Sequence, residues 1–210
     1  MRQQLRREKK KQLIKEAALQ LFATYGYENT KVSDIVKHIQ SSQGTFYWYF
    51  ESKEECALEM IEDGGNELLQ SIKQGYRSEK FEVEEALTST KSIFGQIFDF
   101  AQNNRFLMQI LLRGIHTQPV LQQKVEAIKR EMEAAFELNL NRAKQLGVLS
   151  ENVNEQFQAI LIMSLIEGVL SRWLDAVQKQ EDGQQFNEMT IQQLIDQTAH
   201  FEFYGLFGHQ

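Results

Sequence analysis

Hydrophobic positions recur at helical spacing along nearly the whole chain. Leu13/Ile14, Ala17/Ala18 and Leu21/Phe22 form a double stripe that predicts a first helix from about Arg7 to Tyr25, stopped by Gly26. Val32, Ile35, Val36 and Ile39 give a short second helix one apolar face, with Thr30 as its expected cap. Gln40-Ser41-Ser42 interrupts that pattern, and Ser42 is a good N-cap for a third helix beginning at Gln43. Ser52-Lys53-Glu54-Glu55 then reads as a capping box opening a fourth helix, whose apolar positions Leu58, Ile61, Leu68, Leu69 and Ile72 continue toward Tyr76.

From Phe81 the helices become longer and more apolar, and period-two alternation is missing throughout. Helices are predicted over about Glu82 to Gln102, about Arg105 to Arg113, and from Pro119 to about Leu146. Leu146-Gly147-Val148-Leu149 has the form of a Schellman ending, with glycine at C′ and an apolar C″. Asn152 or Asn154 is the expected cap of an eighth helix reaching Gln180, and Thr190 that of a ninth running to about Phe207. The class is all-α, with about nine helices.

Two stretches depart from simple amphipathic patterning. Asp63-Gly64-Gly65-Asn66 puts adjacent glycines inside a helix, at a cost of about 2 kcal/mol relative to alanine. A kink that transmits motion, a close-packing site and a break between helices are all compatible with that. The third helix is the second departure: Gln43, Thr45, Tyr47, Trp48 and Tyr49 crowd polar and amphipathic aromatic groups into barely two turns. A core helix has no need of them. A helix lying in a DNA major groove does, because amides read base edges while hydroxyls and phenols hold phosphates.

The charge distribution supports that reading. The chain is net −6, yet residues 1–53 carry ten Lys/Arg against five Asp/Glu, a net +5, and the remainder is net −11. Such an asymmetry turns the basic end toward a polyanion. Arg2 to Lys11 is densely basic, either a loose tail or an arm reaching phosphates or the minor groove. A single cysteine, Cys56, excludes an internal disulfide and fits a reducing compartment. The longest wholly apolar run, Ala159 to Met163, is short for a membrane span, and the basic N-terminus lacks the apolar core of a secretory signal, so a cytoplasmic location is expected. No nucleotide-binding glycine loop, nucleophile elbow, zinc-protease motif or Glu-x-x-His pair occurs, so no catalytic, metal or cofactor site is expected.

Ile14, Ala17-Ala18, Leu21-Phe22, Gly26, Thr30, Ile35, Ser42, Gly44-Thr45, Tyr47, Tyr49-Phe50 and Lys53 together resemble the DNA-binding head of the TetR/AcrR family of transcriptional regulators. The spacing holds over about 40 positions without a gap. Where that family usually has Ala-Gly-Val in the turn, this chain has Ile39-Gln40-Ser41, which puts a Cβ where positive φ is often wanted. The resemblance implies a helix-turn-helix domain over residues 1–53 and a helical effector-binding and dimerisation domain over 54–210. Gln43 at the leading end of the third helix can bond adenine N6 and N7, Gly44 allows close approach to the DNA backbone, and Thr45 and Tyr47 suit phosphate or thymine-methyl contacts. Tyr49, Lys53 and the Thr30 hydroxyl are further phosphate candidates, with Ser42 holding the cap; Trp48 either stacks on sugar-phosphate or props the head.

For the body, Phe94, Phe98, Phe106, Met108, Met132, Phe136, Phe157 and Met163 are the side chains expected to point inward. They fill a core or, as the resemblance implies, line an apolar effector cavity, with Arg113, His116, Asn139 and Glu167 as candidate polar anchors. Helices eight and nine carry more apolar surface than one small body can cover. The resemblance therefore implies a homodimer through Ser164, Gly168, Trp173, Leu194, Ile195, Thr198 and Phe201, matched to a palindromic operator in double-stranded DNA. The expected function is a ligand-responsive repressor released by a small hydrophobic effector. The rival is a helical ligand-binding or adaptor protein that never touches DNA.

Overall fold

A computed structural model of the chain describes residues 2–179 and 189–206, and among these there are nine α-helices and no strand. They are α1 (Arg2–Tyr25), α2 (Val32–His38), α3 (Gln43–Tyr49), α4 (Lys53–Lys73), α5 (Val83–Asn103), α6 (Arg105–Arg113), α7 (Pro119–Gln145), α8 (Glu155–Lys179) and α9 (Ile191–Tyr204). The expected extension of the eighth helix to Gln180 and of the ninth to Phe207 lies outside the described residues.

The helix ends follow from local chemistry. Gly26 adopts φ 85° and its amide donates to Phe22 O, ending α1. The Ser42 hydroxyl accepts from Thr45 N at 3.2 Å, and Thr190 accepts from Gln193 N at 3.2 Å. Of the two candidate caps for α8, Asn154 is the one used, its Oδ1 accepting from Phe157 N at 2.8 Å. Both bonds of the Schellman motif close α7: Gly147 N donates to Lys144 O and Val148 N to Ala143 O. At α4 the Ser52 hydroxyl accepts from Glu55 N, but the Glu55 carboxylate reaches back to Glu51 N rather than to Ser52.

Three expectations are corrected here. The basic lead-in is helical from Arg2, because nothing in Arg2 to Lys11 breaks a helix and the apolar stripe of α1 continues directly from it. The cap of α2 is Lys31, not Thr30; the second helix starts one residue later than its Thr30 cap requires, with Asp34 accepting from Lys31 N at 2.9 Å. And α4 runs unbroken through Gly64-Gly65, both buried, so this pair is not a break between helices.

Two compact units divide the chain: residues 1–65 with 106–127, and residues 66–105 with 128–210. In the first, α1, α2 and α3 pack around Ile14, Ala18, Phe22, Ile35, Phe46 and Phe50, each at most 4% exposed. Lys15 of α1 bonds Asp63 at 2.6 Å and Glu59 at 3.1 Å on α4, and Lys11 pairs with Glu59 at 2.6 Å. Burial acts to lower the Lys15 pKa, but these two carboxylates outweigh it and leave the ammonium raised. In the second unit α5, α8 and α9 share a core of Phe94, Ile97, Phe98, Leu170, Trp173 and Leu194, with the Phe98 and Trp173 rings 6.2 Å apart. Lys91 of α5 joins Asp196 of α9 at 2.7 Å, and Lys129 of α7 joins Glu167 of α8 at 3.0 Å.

Candidate nucleic-acid interface and effector cavity

α3 is divided sharply between two faces. Phe46 and the following Phe50 are sealed in the core, their rings 5.6 Å apart, and fix the helix from below. Ser42, Gln43, Gly44, Tyr47 and Trp48 are exposed on the other side, with Thr45 and Tyr49 half-buried between. Tyr47 is 54% and Trp48 57% exposed, a heavy outlay of aromatic surface for a seven-residue helix. The Arg7 guanidinium lies 4.7 Å from the Trp48 ring centroid, and Tyr49 meets Trp48 edge-on at 4.5 Å. Trp48 thus joins the basic N-terminal half of α1 to the exposed face of α3.

Gly44 has no structural reason within the chain. A Cβ there would meet only the Ser42 hydroxyl, at an ordinary 3.8 Å, and the backbone is plainly helical. What glycine leaves open is space on the outer side of the helix.

Two of the proposed contact residues turn inward. Thr30 is 2% exposed, and its hydroxyl donates to Gly26 O at 2.9 Å and Leu21 O at 3.2 Å, so it ties the end of α1 to the start of α2. The Lys53 ammonium donates to Tyr27 O at 2.7 Å and Thr30 O at 2.9 Å and sits 3.9 Å from the Tyr27 ring centroid. Burial lowers its pKa, and the same burial pushes Tyr27 up to about 12. Both residues hold the turn that presents α3. Lys11 and Lys15, counted in the positive head, are also engaged within the protein.

The turn itself carries the consequence of the missing glycine. Gln40 is the one non-glycine residue at positive φ among the described residues, at 50°. It occupies C′ of a Schellman ending to α2, with Gln40 N donating to Lys37 O and Ser41 N to Val36 O.

The second unit holds an apolar cavity of about 290 Å³. Its wall includes Gly75, Arg77, Phe81, Ile93, Phe136, Asn139, Leu140, Val148, Ile162, Glu202 and Phe203. Asn139 Nδ2 donates to Ile72 O at 2.9 Å, and Arg142 bonds the Arg77 and Ser78 carbonyls, which fixes the segment after α4 against α7. A Cβ at Gly75 would fall 2.5 Å from Ile93 Cδ1 and 3.0 Å from Asn139 Nδ2, so those side chains would have to shift to admit one.

Of the twelve candidate cavity residues, Phe136 and Asn139 line this space. Phe94, Phe98, Met132 and Met163 are buried core side chains of the same unit, Phe157 is 56% exposed, and Glu167 is paired with Lys129. Phe106, Met108, Arg113 and His116 belong to the first unit, with Met108 buried and Arg113 and His116 exposed. Arg77, Phe81 and Glu202 were missed. The aromatic run Phe201-Glu202-Phe203-Tyr204, which surrounds a carboxylate with rings, is the sequence signal for the last.

The interface candidates divide in the same way. Trp173, Leu194, Ile195 and Thr198 are at most 7% exposed and face α5 and the core of their own unit. Ser164 and Phe201 face outward, Gly168 is half-buried, and Phe157, Ile160 and Leu161 extend an outward apolar stripe along α8. This is also the one described helix long and apolar enough to cross a membrane by length and composition. No group of three or more His, Cys, Asp or Glu placed to hold a metal occurs among the described residues.

Residues 14–60 match the family described as "Bacterial regulatory proteins, tetR family". Over these residues the chain carries the DNA-binding domain of that family. It is a DNA-binding transcriptional regulator of the helix-turn-helix type, and regulators of this family take small-molecule effectors and act as dimers. Among relatives, the "Fatty acid metabolism regulator protein" of Bacillus subtilis is 24% identical over 174 residues, covering 83% of this chain and 88% of that one. The crystal structure of the regulator FadR from Bacillus subtilis in complex with stearoyl-CoA is similar at TM-score 0.71 and 21% identity, covering 93% of this chain and 98% of that chain. SmeT, the repressor of a Stenotrophomonas maltophilia multidrug efflux pump, is similar in its triclosan complex at TM-score 0.71 and 21% identity, over 91% and 90% of the two chains.

Proposed function

We propose that this protein is a cytoplasmic repressor of the TetR/AcrR family that binds a twofold-symmetric operator as a homodimer and leaves it when an apolar effector occupies the body. Residues 1–53 carry the DNA contacts, and residues 54–210 carry the effector cavity and the dimer face. The observation that carries this reading is the outer face of α3. Gln43 stands at its leading end, Gly44 leaves room that no protein atom fills, and Tyr47 and Trp48 are exposed with no core to cover them.

Gln43 is the base-reading side chain, and Ser42, Thr45, Tyr47 and Tyr49 supply hydroxyls for phosphates. The dimer forms through the outward stripe Phe157, Ile160, Leu161, Ser164 and Gly168 of α8 together with Phe201 of α9. A C2 pairing of the same patch on two copies buries apolar surface that a lone chain leaves in water. Two α3 helices then enter successive major grooves, about 34 Å apart. An effector releases DNA only by as much as it prefers the conformation that does not fit the operator.

The test is selection of bound sequences from random duplexes by the full-length protein. Enrichment of a twofold-symmetric sequence supports the proposal. No enrichment in the presence of competitor DNA favours a helical adaptor instead.

A further inference from the structure

One carboxylate of the body is left without a partner in a place where that is expensive. Glu202, on the last turn of α9, lines the 290 Å³ cavity, and its Oε2 is sealed from solvent with no hydrogen-bond partner. A buried acceptor without a donor costs free energy unless something else supplies the donor. The cavity wall is otherwise mostly hydrocarbon and aromatic: Phe81, Ile93, Phe136, Leu140 and Phe203 surround it. Asn139, whose amide nitrogen donates to Ile72 O, makes no bond to Glu202 Oε2. Arg77, the other charged lining residue, is exposed.

Resting on the proposed effector reading of this cavity, we propose that its ligand is an apolar amine, whose protonated nitrogen bonds the buried Glu202 carboxylate while its hydrocarbon or aromatic body fills the rest. The geometry sets a chemical preference. A nitrogen donor satisfies the orphaned Oε2 and becomes a charge-assisted hydrogen bond beside a mostly apolar wall. A carboxylic acid placed there brings a second acceptor against the first. A plain hydrocarbon leaves Oε2 as unsatisfied as before. Burial pushes the Glu202 carboxyl up to about 7, so a bound cation also favours the ionised form that an empty cavity disfavours.

Three probes of equal chain length separate these cases: decylamine, 1-decanol and decanoate, each kept below its aggregation concentration and titrated calorimetrically into the full-length protein. Decylamine is expected to bind at least about tenfold more tightly than decanoate. Glu202→Gln is expected to remove most of that preference while leaving 1-decanol affinity within about twofold. The circular dichroism spectrum of the variant checks its fold, and Glu202→Leu provides a second substitution that removes the acceptor without placing a new donor in the cavity. If decylamine and decanoate bind alike, or Glu202→Gln and Glu202→Leu both leave their ratio unchanged, the amine assignment is overturned while the cavity stands as an effector site. If none of the three binds, both the assignment and the effector reading of the cavity are overturned, and the DNA-binding reading of α3 is untouched.

Discussion

Replacing Gln40 with glycine is expected to make the protein more stable, against the usual direction of a glycine substitution. The turn between α2 and α3 holds Gln40 at φ 50°, where its Cβ crowds the following carbonyl. An L-residue in that region gives up about 1–2 kcal/mol. Glycine has no such penalty but loses about 0.5–1 kcal/mol more chain entropy on folding. The Gln40 side chain is exposed, and the two turn bonds, Gln40 N to Lys37 O and Ser41 N to Val36 O, are backbone bonds that glycine keeps. The difference leaves a net gain of about 0.5–1 kcal/mol for Gln40→Gly. In a chain of this length that is a rise of about 1–4 °C in Tm.

The natural control lies at the end of α7, where the same motif does have its glycine. Gly147 sits at φ 72° with nothing within 4 Å of a would-be Cβ, so Gly147→Ala tests the backbone alone and should lose about 1 kcal/mol. Urea unfolding measures both, since a shift in midpoint at constant slope is a change in stability. If Gln40→Gly is neutral or destabilising while Gly147→Ala loses stability as expected, the turn does not have the geometry described. The argument from the missing glycine then fails.

Three further outcomes follow from the site. Gly44→Ala should stabilise α3 by up to about 1 kcal/mol in thermal melts, because a Cβ there meets only Ser42 Oγ at 3.8 Å, and should weaken DNA binding in the same preparation; tighter or unchanged binding would remove the reason given for that glycine. Thr30→Val keeps the shape but removes the donor to Gly26 O and Leu21 O, so urea denaturation should show a loss of about 1–2 kcal/mol, with operator affinity normalised to folded protein unchanged. The third outcome concerns pH. Glu202, raised from 4.5 to about 7, binds more protons folded than unfolded, so its contribution is present below pH 4.5 and lost as pH rises through about 7. Glu202→Gln should therefore match the wild type near pH 4 and be more stable by about 3 kcal/mol at pH 8, read from parallel urea titrations; equal stability at both values would mean that Glu202 is solvated.

Local chemistry was the legible part of this fold. Gly26, Ser42, Gly147 and Thr190 act on backbone groups within four residues of themselves, so the sequence around each contains the whole cause of the helix end. The exposure of one face of α3 was legible for a related reason: Gln43, Tyr47 and Trp48 are residue types that a buried strut would not carry. What the sequence could not show was which neighbour covers an apolar face. Leu194, Ile195 and Thr198 have the spacing of an interface, but α5 of the same chain packs on them, and the apolar side chains left exposed are Phe157, Ile160 and Leu161. Thr30 and Lys53 look like phosphate contacts in isolation. Their partners, Gly26 O with Leu21 O and Tyr27 O with Thr30 O, are backbone carbonyls that every sequence possesses and none advertises. Glu202 was missed because its burial depends on a cavity wall gathered from four helices, α5, α7, α8 and α9, and the segments between them.

The central claim is that the exposed face of α3 reads bases, and equilibrium binding to a selected duplex and to its scrambled counterpart tests it directly. Fluorescence anisotropy should show wild-type protein preferring the selected duplex. Gln43→Ala should lose about 1–3 kcal/mol on the selected duplex and almost nothing on the scrambled one, where only phosphates are held. Equal wild-type affinity for both duplexes, or a Gln43→Ala protein that discriminates between them as well as the wild type does, would contradict the account.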